Sequence, residues 1–148
     1  MYKRYNRKTT LSAKNSKYNN VKIVKHLNLK RISPEGEISF IDQDWKFDSQ
    51  LEYAHFLEYQ DMEKCGEIEH YIFKPDRLEL SPSYKEMKLR PSYYHPDHLL
   101  IFKDGSRKYV DSKGFSTDIF KLKQKIVYDR HKIYVEARYV KTNNRSSR

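Results

Sequence analysis

Two aspartates, one glutamate and one lysine carry the chemistry that this sequence offers. Asp97 follows Pro96, Asp111-Ser112-Lys113 comes 14 residues later, and Glu52 lies upstream in a helix-forming segment. Two carboxylates can grip a hard divalent cation through oxygen, and a further carboxylate can complete a second metal position. A lysine beside them can offset charge developing on a phosphate or orient an attacking water. Metal-dependent phosphodiester cleavage needs that set. Asp111 and Lys113 are two apart in a strand-like run and therefore share a face.

Whether Asp97 joins them depends on one turn. With a loop of Asp104-Gly105 alone, Asp97 would face Ser112. A three-residue loop Lys103-Asp104-Gly105, with glycine in the left-handed position of a bulged turn, places Asp97 opposite Asp111. Their Cβ atoms would then be about 4.5–5.5 Å apart, close enough to hold one ion. Glycine in third place favours that register.

Other elements must support this hairpin. Val21 to Leu29 alternates in part and reads as a strand. Pro34-Glu35-Gly36-Glu37 reads as a turn, and Ile38 to Ile41 as a short strand. Ser49-Gln50-Leu51-Glu52 has capping-box spacing. It opens a helix whose apolar face is expected to be Leu51, Ala54, Phe56, Leu57 and Met62, with Cys65-Gly66 as the stop. Strand-like runs follow at Glu67–Phe73, Arg77–Leu80, Tyr84–Leu89, His98–Phe102 and Arg107–Asp111. A second helix is predicted from about Thr117 to His131, with Ile119, Leu122, Ile126 and Val127 inward and Lys121, Lys123 and Lys125 outward. Ile133–Val140 closes as a strand. This order of elements predicts a mixed α/β layer fold.

The 148 residues suit one domain. Residues 1–19 read as a flexible basic arm, 20–140 as the domain and 141–148 as a basic tail. The longest uninterrupted apolar run, Leu99–Phe102, falls far short of the roughly 20 residues of a membrane helix. Met1 is followed by Tyr, Lys and Arg, without a secretory leader. A lone Cys65 excludes an internal disulfide and a thiolate zinc cage, and reads as structural. The net charge of +10 is uneven: residues 1–34 contain ten bases and no acid, 35–80 hold 13 acids against four bases, and 81–148 hold 16 bases against seven acids. Basic ends around an acidic middle suit a polyanion-binding protein with a carboxylate-rich centre. No amphipathic apolar face accompanies the charge to suit a membrane surface.

Three stretches carry a resemblance: Phe47-Asp48-Ser49-Gln50-Leu51-Glu52, Tyr94-His95-Pro96-Asp97 and Tyr109-Val110-Asp111-Ser112-Lys113-Gly114. They are similar to the three-part signature of the PD-(D/E)XK nucleases, which include the phage Holliday-junction resolvase endonuclease I. The chain resembles in particular a family of small phage and prophage proteins regarded as resolvases. Thr117-Asp118-Ile119-Phe120-Lys121-Leu122-Lys123 fits that family's lysine-rich helix, so the likeness covers roughly residues 46–135. It implies a restriction-endonuclease-like core, a central mixed sheet flanked by helices in the order α-β-β-β-α-β. It also implies a Mg²⁺- or Mn²⁺-dependent endodeoxyribonuclease acting on branched DNA in phage recombination or replication. Asp97 and Asp111, with the Ser112 carbonyl, would ligate the metal. Lys113 would position the water or steady the phosphate, and Glu52 would serve a second ion. Thr117 with Lys121, Lys123 and Lys125 would meet the DNA backbone, as would the arm with Lys3, Arg4, Arg7 and Lys8. Symmetric cutting of a four-way junction implies a homodimer, acting in the cytoplasm of a bacterial host. His98 and Ser112 depart from the family's usual residues at their positions.

Other readings stay open. Glu52 can serve as a helix cap alone, the lysine row as a solvated face, and His95 with His98 as zinc ligands. As a whole the chain could be a nuclease acting on linear or single-stranded ends. It could equally be a catalytically idle nuclease fold that only binds nucleic acid, or an RNA-associated basic protein.

Overall fold

The computed structural model describes residues 22–140, so the arm 1–19 with Lys3, Arg4, Arg7 and Lys8, and the tail 141–148, lie outside the described residues. The described residues fold as mixed α+β, with a four-stranded sheet, two two-stranded ribbons and two helices. Among the described residues, no helix is long and apolar enough to cross a membrane.

The chain enters through a ribbon of β1 (Ile23–Ile32) and β2 (Ile38–Phe47), joined by the expected turn, where Gly36 takes a φ of +89°. β2 is longer than its apolar start Ile38–Ile41 indicated. Asp42, Gln43 and Asp44 hide the alternation, yet the antiparallel register carries through them to bring Trp45 and Phe47 into the core. Trp45 Nε1 donates to Leu27 O at 3.1 Å.

Helix α1 (Gln50–Lys64) starts at Ser49, whose Oγ accepts from Glu52 N at 3.1 Å. Its buried stripe is Glu52, His55, Phe56 and Tyr59, at spacings of three and four. That corrects the expected apolar face: Ala54 is exposed, Leu57 is 44% exposed, and Leu51 and Met62 are half-buried. The reason lies beneath the helix. Phe47, Tyr71 and Phe73 form an aromatic layer, and α1 turns its own rings, Phe56 and Tyr59, onto it. Cys65 caps the helix and is exposed.

The main sheet has the order β3-β6-β7-β8, from β3 (His70–Phe73), β6 (His98–Ile101), β7 (Arg107–Lys113) and β8 (Val135–Tyr139). The first three are antiparallel neighbours, and β8 runs parallel to β7. The parallel pair needs a crossover, which helix α2 (Asp118–His131) supplies, capped by Thr117 Oγ1 on Phe120 N at 3.1 Å. One sheet face, bearing Tyr71, Phe73, Leu100 and Val110, packs with α1. The other, bearing Tyr109, Val135 and Ala137, packs with Phe120 and Val127 of α2.

The inward residues of α2 differ from expectation. Ile119 and Leu122 are 68% and 58% exposed, while Phe120 takes the core position and Lys123 is half-buried. Lysines at alternate positions after Phe120 (Lys121, Lys123, Lys125) blur the period, and the larger aromatic side chain wins the core. Between β3 and β6, β4 (Leu78–Ser81) pairs with β5 (Ser92–Tyr94). Tyr84–Leu89, expected as a strand, is a tight turn between them, closed by reciprocal backbone bonds of 3.0 Å between Tyr84 and Leu89.

Candidate functional site

The β6–β7 turn decides the site. Gly105 takes a φ of +84°, Gly105 N donates to Phe102 O and Phe102 N to Ser106 O, both at 2.9 Å. This is the three-residue loop, and the register His98↔Val110 through Ile101↔Arg107 follows from it. Asp97, one step before β6, lies opposite Asp111, and its Oδ2 accepts from Ser112 N at 2.9 Å. β7 extends through Lys113, beyond the expected end at Asp111, so Lys113 stands on the same face as Asp111 with Nζ 3.3 Å from Asp111 Oδ2. Its ammonium lies 4.4 Å above the Phe120 ring.

These groups line a cleft of about 370 Å³, with Glu52 on its α1 wall and Thr117 and Lys123 on its α2 wall. Lys121 and Lys125 are exposed and stand outside that lining. Glu52 does cap its helix, but its Oε2 accepts from Asp48 N at 2.5 Å, one residue earlier than a capping box reaches. The other oxygen, Oε1, is buried with no hydrogen-bond partner among the described residues. Burial raises the Glu52 carboxyl above its ordinary range, against the pull of the Asp48 N–H. The Asp97 carboxyl is driven much further up, first by burial and then by its contact with Asp111 and the charge of Glu52. Burial and the crowding of carboxyl groups favour the protonated form of Asp97.

Tyr94 was not among the residues singled out for a role, though it lies in the Tyr-x-Pro-Asp stretch. Its hydroxyl donates to Asp111 Oδ2, and burial followed by the Asp111 charge holds the phenol firmly protonated. A tyrosine three residues before Asp97 on a strand leading into the site was the available signal.

Ser112 points through the sheet to the opposite face. Its hydroxyl bonds His55 Nδ1 at 2.7 Å and His98 Nε2 at 2.9 Å, and His98 Nδ1 bonds the Tyr71 hydroxyl at 2.6 Å. Burial lowers His98 to about 3 and His55 to about 4, the latter helped by the Arg138 charge, so both rings are neutral. His98 and Ser112, the two departures from the nuclease pattern, are therefore partners of each other. Zinc ligation by His95 and His98 finds no support: His95 lies exposed on the cleft rim, and His98 is fully buried with both nitrogens bonded. His55 stands three residues after Glu52, a helical spacing that could have revealed it.

Among the described residues, no three or more His, Cys, Asp or Glu side chains form a ready-made metal cluster. The donors at hand are two opposed carboxylates, the neighbouring Ser112 carbonyl and the orphaned Glu52 Oε1. That set is all oxygen and fits a hard divalent cation better than zinc or copper. Oε1 is the independent sign, because a buried carboxylate oxygen without a hydrogen bond is costly unless a cation or the neighbouring Asp97 carboxyl answers it.

No curated protein and no solved structure matches the chain significantly. Residues 38–146 match the family described as Protein of unknown function (DUF1064), a span that takes in both helices, the whole main sheet and every residue of the cleft. The chain belongs to the DUF1064 family.

Proposed function

We propose that this chain is a Mg²⁺- or Mn²⁺-dependent endodeoxyribonuclease with a PD-(D/E)XK-type core, hydrolysing phosphodiester bonds in branched DNA. The observation that carries the reading is the register that opposes Asp97 to Asp111 with Lys113 on the same face, beside the partnerless Glu52 Oε1. The order α1, β3, β6, β7, α2, β8 supports it, being the α-β-β-β-α-β order of that nuclease core with β4 and β5 inserted.

Asp97, Asp111 and the Ser112 carbonyl would hold the cation, and Glu52 a second one. Such an ion, when bound, polarises a phosphate oxygen and acidifies a coordinated water. Asp97 must first give up its proton. Tyr94 fixes the Asp111 carboxylate, and Ser112, clamped from behind by two neutral histidines, fixes Asp97 through its N–H. Lys113 brings a positive charge to the face where the phosphate would lie. Thr117 and Lys123 would anchor a flanking phosphate at the start of α2, where unpaired N–H groups favour anions. The residues outside the cleft, Lys121, Lys125 and the basic arm, would add salt-sensitive backbone contacts. Symmetric junction cutting requires two such clefts, hence a homodimer, encoded by a phage or prophage and working in the bacterial cytoplasm.

The test is cleavage of a synthetic four-way junction beside a matched duplex, in Mg²⁺ and in EDTA, with Asp111→Ala and Lys113→Ala as controls. Metal-dependent, mutant-sensitive cutting of the junction alone is expected. Equal cutting of both substrates removes the resolvase reading and leaves a general nuclease. Binding without any cutting leaves an idle nuclease fold.

A further inference from the structure

The hairpin of β4 and β5 has a tip that the chemistry of the cleft does not use. Tyr84, Met87 and Leu89 are 42%, 60% and 53% exposed on one six-residue turn. Single exposed apolar side chains need no explanation, but three on one turn are a candidate contact surface. They alternate with cations: Lys85, Lys88 and Arg90 are all exposed, against one acid, Glu86.

The tip is tied by its own backbone bonds. Reciprocal Tyr84–Leu89 backbone bonds close it, Lys88 N donates to Lys85 O at 3.1 Å, and Lys88 accepts a left-handed φ of 54°. At its root Ser81 and Ser92 hydroxyls bond at 2.7 Å. Below that, Arg130 of α2 grips Glu79 at 2.7 Å and the Leu80 carbonyl at 3.1 Å. A preset apolar tip loses little entropy on insertion, which is what a wedge requires.

The same hairpin also builds the cleft. Tyr93 and Tyr94 line it, and Arg77 stacks on the Tyr93 ring at 3.7 Å. Met87 and Tyr93 are six positions apart, so the tip lies within about 20 Å of the cleft wall, about six base steps along a duplex.

We propose that Tyr84, Met87 and Leu89, flanked by Lys85, Lys88 and Arg90, form a wedge that enters DNA at a helix discontinuity and unstacks the bases there. The cations hold adjacent phosphates while the apolar tip replaces a lost stacking contact, a device by which proteins open or kink duplexes. The inference deepens the nuclease reading by naming what selects branched DNA, and it rests on that reading for the choice of DNA as partner.

The test uses the full chain in EDTA with a four-way junction carrying 2-aminopurine at the branch point, and a matched linear duplex. Fluorescence is expected to rise several-fold on binding to the junction. Met87→Ser/Leu89→Ser, both at exposed positions, is expected to abolish the rise and weaken junction binding about tenfold, leaving duplex binding within about twofold. Lys85→Ala/Arg90→Ala is expected to weaken both and to lower the salt slope by about two. Unchanged unstacking in the serine variant overturns the wedge, as does junction binding by the native chain without a fluorescence change. Loss of binding to phosphatidylserine vesicles in the serine variant, with DNA binding intact, also overturns it and assigns the tip to a lipid surface. Mg²⁺-dependent cutting without unstacking removes the wedge alone. Unstacking without cutting removes the nuclease activity and leaves the wedge.

Discussion

Two polar clusters share strands β6 and β7 and helix α1, one reached through Ser112 and His98 and the other through Asp111 and Asp97, whose side chains take opposite faces of the sheet. On the α1 face, Tyr71, His98, Ser112 and His55 form a closed chain in which each side chain bonds its neighbour. On the cleft face, Glu52, Asp97 and Asp111 crowd together with one oxygen orphaned and one proton retained. Both are buried, and both cost solvation. The closed cluster recovers that cost internally and holds the backbone still. The open cluster does not, and a fold keeps such an unsatisfied group where a ligand completes it. On the proposed reading, the closed cluster is scaffold and the open one is the site.

Breaking the open cluster should therefore affect activity most. Asp111→Ala or Lys113→Ala is expected to lower Mg²⁺-dependent cleavage by about a thousandfold or more, roughly 4 kcal/mol of barrier, with the fold intact by circular dichroism. Breaking the closed cluster should affect stability most. His98→Ala leaves the Tyr71 hydroxyl without its partner beside a new cavity, and about 3 kcal/mol should be lost in urea unfolding.

Asp97→Asn should move stability the other way. It removes the group that must stay protonated, and a gain of roughly 1–2 kcal/mol near pH 8 is expected together with loss of cleavage. A loss of stability in this variant would mean that the carboxylates are already compensated, and the contrast between clusters would fail.

The two clusters also differ in the sign of their pH dependence. Asp97 is raised, so the unfolded chain releases its proton above about pH 4 while the folded one keeps it. Stability at this site falls as pH rises from there toward the folded value, and the fall should vanish in Asp97→Asn. His98 and His55 are lowered to about 3 and about 4, so the unfolded chain gains protons first as pH drops below about 6.5. Their contribution is present above that pH and is lost on the acid side. Saturating Mg²⁺ should lift the alkaline limb alone.

The smallest effect belongs to the outer lysines. Lys125→Ala should leave stability within about 0.5 kcal/mol and lower the salt slope of DNA binding by about one.

Much of this was legible in the chain. Gly105 in third place fixed the β6–β7 register, because left-handed backbone falls to glycine, and the opposition of Asp97 and Asp111 follows from counting. Ser49 marked the start of α1 by its capping spacing, while the cap that Thr117 supplies to α2 came from the structure. Period alone misled where the core is aromatic or where lysines interrupt it, as on α1 with Ala54 and Leu57 and on α2 with Ile119 and Leu122. Proline-flanked Tyr84–Leu89 looked like a strand because alternation cannot tell a strand from a turn that happens to alternate.

The sequence by itself determined the local events: turn, caps, register, and the side chains that share a face with Asp111. Only the tertiary structure decided which carboxylate oxygen would be left without a partner, that Tyr94 would hold Asp111, and that His55 would meet His98 across Ser112. Local geometry follows from steric rules within a few residues. Solvation of a buried charge depends on every element packed around it, and no window of sequence contains them all.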